Sequence, residues 1–338
     1  MHMRSDRQNF VSVRTVCLTM WSLRTGRPHQ KYNNMKKTYH LCLSGDNEIM
    51  FRTNEDYHRG FNCFALALHK TDSTGLAEAI MSTHCHLLIQ TSEPKEFMHD
   101  FRLMYSHYFN RKYHRRGRLG ERFCFTMEIV GYHHILAAIS YILRNPPHHG
   151  VAPTPYAYPH CSANAIFMSE MGKFTSTELL HPRNYHRYIG KTATFPDSYR
   201  MSKNGVFLRE SVLDIPQVEN LFLTPRMFNF YMTRKSSEEW KEEQNKDQNN
   251  LPAICIENIE RGASSEDIRK MLIYENGRAD YRKISDIELC HKVDNIIVPA
   301  YHKTSVYQLS IEEKQKIGEQ LYREHHLSEE RIRRCLIL

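Results

Sequence analysis

The stretch MSTHCHLLIQ (residues 81–90) places His84, Cys85 and His86 at the head of the apolar run Leu87, Leu88 and Ile89. Along an extended strand successive side chains point to opposite faces, so His84 and His86 share one face and Cys85 turns to the other. Two imidazoles on one face can meet one cation, although an HxH triplet also arises easily in a chain with 21 histidines, where surface or core packing explains it equally. The wider segment GLAEAIMSTHCHLLIQT (75–91) has the length of one long or bent strand.

Working outward, TYHLCLSG (38–45) reads as a short alternating strand, and TNEDYHRGFNCFALALHK (53–70) as a helix with capping residues ahead of apolar spacing. SEPKEFMHDFRLMYSHYFNRKYHRR (92–116) predicts a long amphipathic helix with Ser92 as N-cap and Pro94 in the first turn. Gly117 and Gly120 break it. RFCFTMEIV (122–130) then reads as a strand and GYHHILAAISYILRN (131–145) as a helix stopped by Pro146 and Pro147. Strands and helices mixed in this way predict an α+β fold, an antiparallel sheet with packed helices.

Residues 146–185, rich in Pro, His and Tyr, read as an irregular wrap, and the charged tract 233–250 as a solvated helix end or linker holding the main boundary. LSIEEKQKIGEQLYREHH (309–326) and LSEERIRRCLIL (327–338) form two helical patterns around a short turn, as in a helix-turn-helix, with Arg323, Arg331, Arg333 and Arg334 placed to meet phosphates. A plain helical hairpin has the same pattern. The expected organisation is therefore a poorly ordered extension (1–34), a first α+β domain (35–160), an extension with linker (161–250) and a mostly helical C-terminal region (251–338).

A second constellation is SYILRNP (140–146). Helical spacing puts Tyr141 and Asn145 on one face, with Ala137 and Ala138 one turn earlier leaving room for a substrate. Ile135, Ile139 and Ile142 mark another stripe that can seat the helix on the sheet, leaving Tyr141 and Asn145 to face a cleft. Tyr105 and Tyr108 share an apolar stripe with Phe101 and Met104, so packing is their simpler account, and Tyr132 opens the same helix as Tyr141. His133, His134, His148 and His149 flank that helix and read as partly exposed surface residues. Between Asn110 and Phe123, Arg111, Lys112, Arg115, Arg116, Arg118 and Arg122 alternate with Tyr113 and Phe123, a composition suited to phosphate contact and base stacking.

The 338 residues exceed the usual size of one domain. Lys and Arg outnumber Asp and Glu by 46 to 38, a net charge of +8 that favours an anionic partner only weakly. The nine cysteines are scattered singly with no CxxC pair, which argues against a zinc ribbon or a disulfide framework and fits a reducing compartment. With no run of 18 apolar residues and no signal-peptide core, the expectation is a cytoplasmic, nucleoid-associated protein without a membrane partner.

Taken in order, MSTHCHLLIQ, YFNRKYHRRGRLGERF and SYILRNPPHHGV make residues 38–155 resemble the REP-associated, insertion-sequence-200-like branch of the HUH single-tyrosine transposases. The resemblance implies a ferredoxin-like HUH endonuclease sheet, a divalent metal (Mg²⁺ or Mn²⁺) held by His84, His86 and Asn145, and Tyr141 as nucleophile. It further implies cleavage and rejoining of single-stranded hairpin or palindromic DNA through a 5′-phosphotyrosine. Cys85 stands where the family has a hydrophobic residue. Two other readings share the motifs: a domesticated DNA-binding regulator, and a replication-initiation or relaxase nickase. A homodimer and a monomer are both compatible with the sequence.

Overall fold

Four short segments pair into one antiparallel sheet in the order β2-β3-β1-β4: β1 (Lys37–Ser44), β2 (Thr74–Ile80), β3 (His84–Thr91) and β4 (Phe125–Ile129). The computed structural model describes residues 35–45, 48–173, 177–234, 238–247, 251–255 and 284–338. The expected extension 1–34, residues 235–237 and 248–250 of the charged tract and residues 256–283 of the C-terminal region lie outside the described residues.

Helix α1 (Asn54–Lys70) joins β1 to β2, and α2 (Pro94–Lys112) joins β3 to β4. The chain is thus βαββαβ, and the right-handed crossover rule lays both helices on one face. The ferredoxin-like α+β architecture expected from the sequence is the one observed. Thr53 opens α1 with a capping box to Asp56, and Glu55 and Asp56 in its first turn oppose His69 and Lys70 in its last, matching the helix dipole. At α2 the cap is Glu93, not Ser92, and no side chain serves it. Pro94 occupies the first helical position with its φ preset, so only the residue directly before it can be the cap.

The segment 75–91 is not one long strand. It is a hairpin that reverses at Met81, Ser82 and Thr83, where the Met81 amide donates to the His84 carbonyl at 2.8 Å. No Gly or Pro marks this turn because its partners are remote: Gly45 donates to Thr83 at 2.6 Å, and Met50 and Phe51 both donate to the Ser82 carbonyl. Edge strand β2 is covered in turn, since Ile80 donates to His160, Asp214 donates to Gly75, and the Glu78 amide donates to Ser162 Oγ.

Helix α3 (Tyr132–His148) runs through Pro146 and Pro147 instead of stopping before them. The two prolines deprive the Ile142 and Leu143 carbonyls of their i+4 amide donors, and the end is closed by His149 donating to Asn145 and Gly150 to Pro147. The wrap that follows holds only short 3-10 turns, at Pro155–Ala157, Ser162–Asn164 and Pro182–Asn184. Then come α4 (His186–Ile189), α5 (Arg209–Val212), α6 (Ile215–Phe222), α7 (Pro225–Thr233) and α8 (Glu238–Asn245).

The C-terminal region comprises α9 (Asp286–Lys292), which continues through a π-helical turn (Val293–Ile297) to Ala300, then α10 (Ile311–His325) and α11 (Glu329–Leu336). It has its own core around Leu289, Val293, Ile317, Leu321 and Leu336, into which Ile49 inserts. Arg52, wholly buried, fastens it: the guanidinium donates twice to Asp294, at 2.7 and 2.8 Å, and once to the Cys335 carbonyl at 2.9 Å. Met35–Leu338 forms one compact unit. Two of the arginines expected to meet phosphate are otherwise placed. Arg334 is buried, and Arg331 is bound to Asp286 and the Ile284 carbonyl, because α11 turns that face onto α9. Arg323 and Arg333 are exposed beside Glu319 and Glu329 one turn away.

Candidate active site

Strand alternation carries His84 and His86 to the sheet face opposite α1 and α2. The other face is identified by Glu78, opposite Leu87, whose carboxylate meets Arg209, itself lying 4.7 Å over the Phe61 ring of α1. Cys85 points to that helix face, is wholly buried, and burial pushes its thiol well up, which leaves it an inert packing group.

Helix α3 covers the histidine face. Asn145 Oδ1 lies 3.1 Å from His84 Nε2, and Asn145 Nδ2 donates to the Tyr141 hydroxyl at 3.4 Å. The Tyr141 ring stands edge-on to His86, with centroids 5.5 Å apart. The structure therefore brings Tyr141, Asn145, His84 and His86 into one cluster, which joins two segments more than 50 residues apart. Tyr105, Tyr108 and Tyr132 lie elsewhere: their hydroxyls donate to the Met50 carbonyl, to Asp56 and to the Leu221 carbonyl.

The expected open cleft is absent at these atoms. Tyr141 is 3 % exposed and Asn145 0 %, because the wrap after α3 and helices α6 to α8 pack around the helix, and Ala137 and Ala138 are filled core positions, not clearance for substrate. His148 also differs from expectation, whereas His149 is partly exposed as expected. With α3 extended past the prolines, His148 is buried 6.0 Å from the Tyr141 ring and His149 faces His84 at 4.8 Å. His134 is buried as well.

His40 completes the cluster and was not singled out from the sequence. Its Nε2 lies 3.0 Å from His86 Nδ1, and the two rings stack at 5.1 Å. Alternation along β1 does put His40 and Cys42 on one face, but only the register Cys42↔His86 shows which face that is. Burial drives His86 down to about 3 and His40 well below the ordinary imidazole range, so both rings are neutral at physiological pH. Burial, with Arg144 and His149 nearby, does the same to His148. On the other side, the Thr83 hydroxyl meets His84 Nδ1 at 3.0 Å.

The N-terminus of α3 is held from far along the chain. Its first residues lack a side-chain cap of their own; instead Asp247 accepts from the His133 amide at 3.1 Å, the His134 amide at 2.9 Å and His134 Nδ1 at 2.8 Å. Gly131, at φ +104°, permits the approach, since a Cβ there would fall 2.3 Å from Asp247 Oδ2. Burial alone would raise the Asp247 carboxyl, but the hydrogen bonds from His134 and His133 outweigh it and hold the group below its ordinary value. The tract expected to be a solvated helix end or linker is packed in part, at Asp247 and the wholly buried Gln244.

The basic residues divide. Lys112 pairs with Glu55 and Asp56, and Arg115 with Glu48, so these two tie α2 and its C-terminal loop to α1 and the 48–53 segment. Tyr113 donates to Asp56 and is buried. Arg111, Arg116, Arg118 and Arg122 are exposed, as is Phe123, over which the Arg122 guanidinium lies at 5.3 Å. The loop leads into β4 at Phe125, which pairs with Cys42, the same residue that pairs with His86. Its exit is therefore beside the histidine cluster.

For a divalent cation, the donor set of His84, His86 and Asn145 is chemically suitable: two imidazoles, one of them held neutral by burial, and an amide oxygen. Among the described residues no group of three or more His, Cys, Asp or Glu side chains is arranged for metal binding, so the amide is required to complete the set. No helix among the described residues is long and apolar enough to cross a membrane.

Neither a known protein family nor a curated protein matches the sequence. Among solved structures, the chain is similar to a REP-associated tyrosine transposase bound to a REP hairpin, at 10 % identity and a TM-score of 0.36, over 44 % of this chain and 89 % of that one.

Proposed function

We propose that this protein is a metal-dependent DNA strand transferase that cleaves and rejoins single-stranded, hairpin-forming DNA, with Tyr141 as nucleophile. The observation that carries the reading is the convergence of Tyr141 and Asn145 from α3 with His84 and His86 from β3 in one cluster. In this reading His84, His86 and Asn145 hold Mg²⁺ or Mn²⁺, which when bound neutralises and orients the scissile phosphate.

The chain's own groups do the rest. His40 holds His86 in one orientation through Nδ1, and Thr83 does so for His84, which leaves the opposite edge of each ring to the cluster. Asn145 donates to the Tyr141 oxygen and so positions the phenol. Tyr141 loses its proton and attacks phosphorus; the bond to the 3′ oxygen breaks, that oxygen takes up a proton, and a 5′-phosphotyrosine remains. Attack by another 3′ hydroxyl reverses the step and rejoins strands without a nucleotide cofactor. Arg116, Arg118, Arg122 and Phe123, exposed on the loop that enters β4, supply phosphate and base contacts beside the cluster.

The test is incubation with Mn²⁺ and hairpin oligonucleotides from the flanks of the protein's own gene, followed by denaturing electrophoresis. A protein–DNA adduct that is absent in Tyr141→Phe supports the reading; an adduct that survives in Tyr141→Phe removes Tyr141 from the role. One observation favours a second reading: Tyr141, His84, His86 and Asn145 are each no more than 3 % exposed. A DNA-binding regulator without strand cleavage fits that closed cluster, and would bind the hairpin yet give no adduct with any divalent metal.

A further inference from the structure

On the helix layer, on the opposite side of the sheet from Tyr141, lies a cleft of about 630 Å³ between α1, α2 and the segment 187–205. Four cations line it: Arg59 from α1, Arg111 and Lys112 from α2, and Arg187 from α4, together with the rings of Tyr108 and Tyr188. Its one acidic side chain, Glu55, pairs with Lys112 at 2.9 Å. Among the described residues no carboxylate pairs with Arg59, Arg111 or Arg187, and Arg59 Nε is buried without a hydrogen-bond partner. A buried donor in that state is costly unless an acceptor from outside the chain meets it.

The aromatic wall is rigid. Tyr188, 37 % exposed, packs on Gly205, which at φ +77° leaves so little room that a Cβ would lie 2.0 Å from the ring. The loop beneath is fixed by the buried Asn62, whose Nδ2 donates to the Gly205 carbonyl at 2.7 Å and whose Oδ1 accepts from the Phe207 amide at 2.9 Å. A fixed, half-open ring beside three uncompensated guanidiniums is the pairing of stacking platform and phosphate track that unpaired nucleotides require. Guanidiniums drawn from three separate elements carry more charge, over more length, than one mononucleotide phosphate needs.

We infer that this cleft seats a single-stranded DNA segment, with Arg59, Arg111 and Arg187 on its phosphates and a base against Tyr188. That the strand is DNA rests on the function proposed above; the preference for a phosphate chain with unpaired bases rests on the cleft alone.

The test is fluorescence anisotropy of a labelled ten-residue oligothymidylate with the full chain in EDTA, where no strand cleavage interferes. Arg111→Gln and Arg187→Gln each flatten the slope of log K against log salt by about 0.7, the single-strand value per phosphate contact. Tyr188→Leu weakens binding about tenfold and leaves the slope unchanged. All three side chains are exposed, and equal unfolding midpoints confirm that the variants fold. The inference is overturned if the Arg111→Gln, Arg187→Gln double variant binds as the parent does, if the parent does not bind the oligomer, or if thymidine monophosphate displaces it at equal nucleotide concentration. Binding that follows this pattern without any Tyr141 adduct would sink the cleavage reading and leave the cleft standing; an adduct with unchanged binding in the variants would do the reverse.

Discussion

At the scale of single residues, the candidate site depends on groups that orient others. His40 and His86 are both wholly buried and share one hydrogen bond, so removing His40 strands a ring nitrogen away from water. His40→Leu is expected to cost about 1–3 kcal/mol in stability by that desolvation. On the proposed function it also weakens Mn²⁺ binding about 10- to 100-fold, the usual effect of losing such a support. Denaturant titration and isothermal calorimetry measure the two separately, and unchanged Mn²⁺ affinity in a folded His40→Leu protein would show that His40 only packs. Asn145 and Tyr141 were legible from their spacing, whereas His40 was one of many histidines until the strand register placed it.

At the scale of elements, two remote ties hold the parts in place. Asp247 caps α3 from 114 residues away, and Asp247→Ala should cost about 1–2 kcal/mol, as the loss of a helix cap does. The effect carries a pH signature. The folded-state pKa of Asp247 is depressed, so as pH falls the unfolded chain takes up the proton first. The stabilisation is complete above the ordinary carboxylate range and is lost as pH falls through the folded value. Unfolding of the parent and of Asp247→Asn should therefore differ at pH 7 and converge as pH falls below the ordinary carboxylate range; a constant gap would refute the assignment.

The second tie is Arg52 to Asp294, with Arg52 wholly buried and Asp294 nearly so. Arg52→Ala leaves that carboxylate unpaired and should destabilise by about 3–5 kcal/mol. Asp294→Leu added to Arg52→Met should recover most of the loss, because the penalty comes from the uncompensated charge. A double variant as unstable as Arg52→Ala would point to packing instead.

At the scale of the whole molecule, a ligand that binds only the folded chain must raise its stability by mass action. On the proposed function, Mn²⁺ at 100 times its Kd adds about 2.7 kcal/mol, visible as a higher melting temperature that EDTA reverses. His84→Ala should abolish the increment. A rise of equal size in that variant would place the ion elsewhere on the protein.

The α+β class, the strands at 38–45 and 122–130 and the helices α1, α2, α3, α10 and α11 were determined by the sequence itself, because periodicity, capping boxes and Pro at a first helical turn act within a few residues. The pairing of His84 with His86, and of Tyr141 with Asn145, was local in the same sense: a strand and a helix each fix which neighbours share a face. Only the tertiary structure decided that these two pairs meet, that His40 and His148 join them, and that a turn without Gly or Pro splits 75–91 into a hairpin. It likewise decided that Asp247, Arg52, Lys112 and Arg115 are internal ties, not solvated charges. Most of those outcomes depend on a partner between about 30 and 280 residues away, and the physical chemistry of a charge or a turn is set by what lies across from it, which no local pattern encodes.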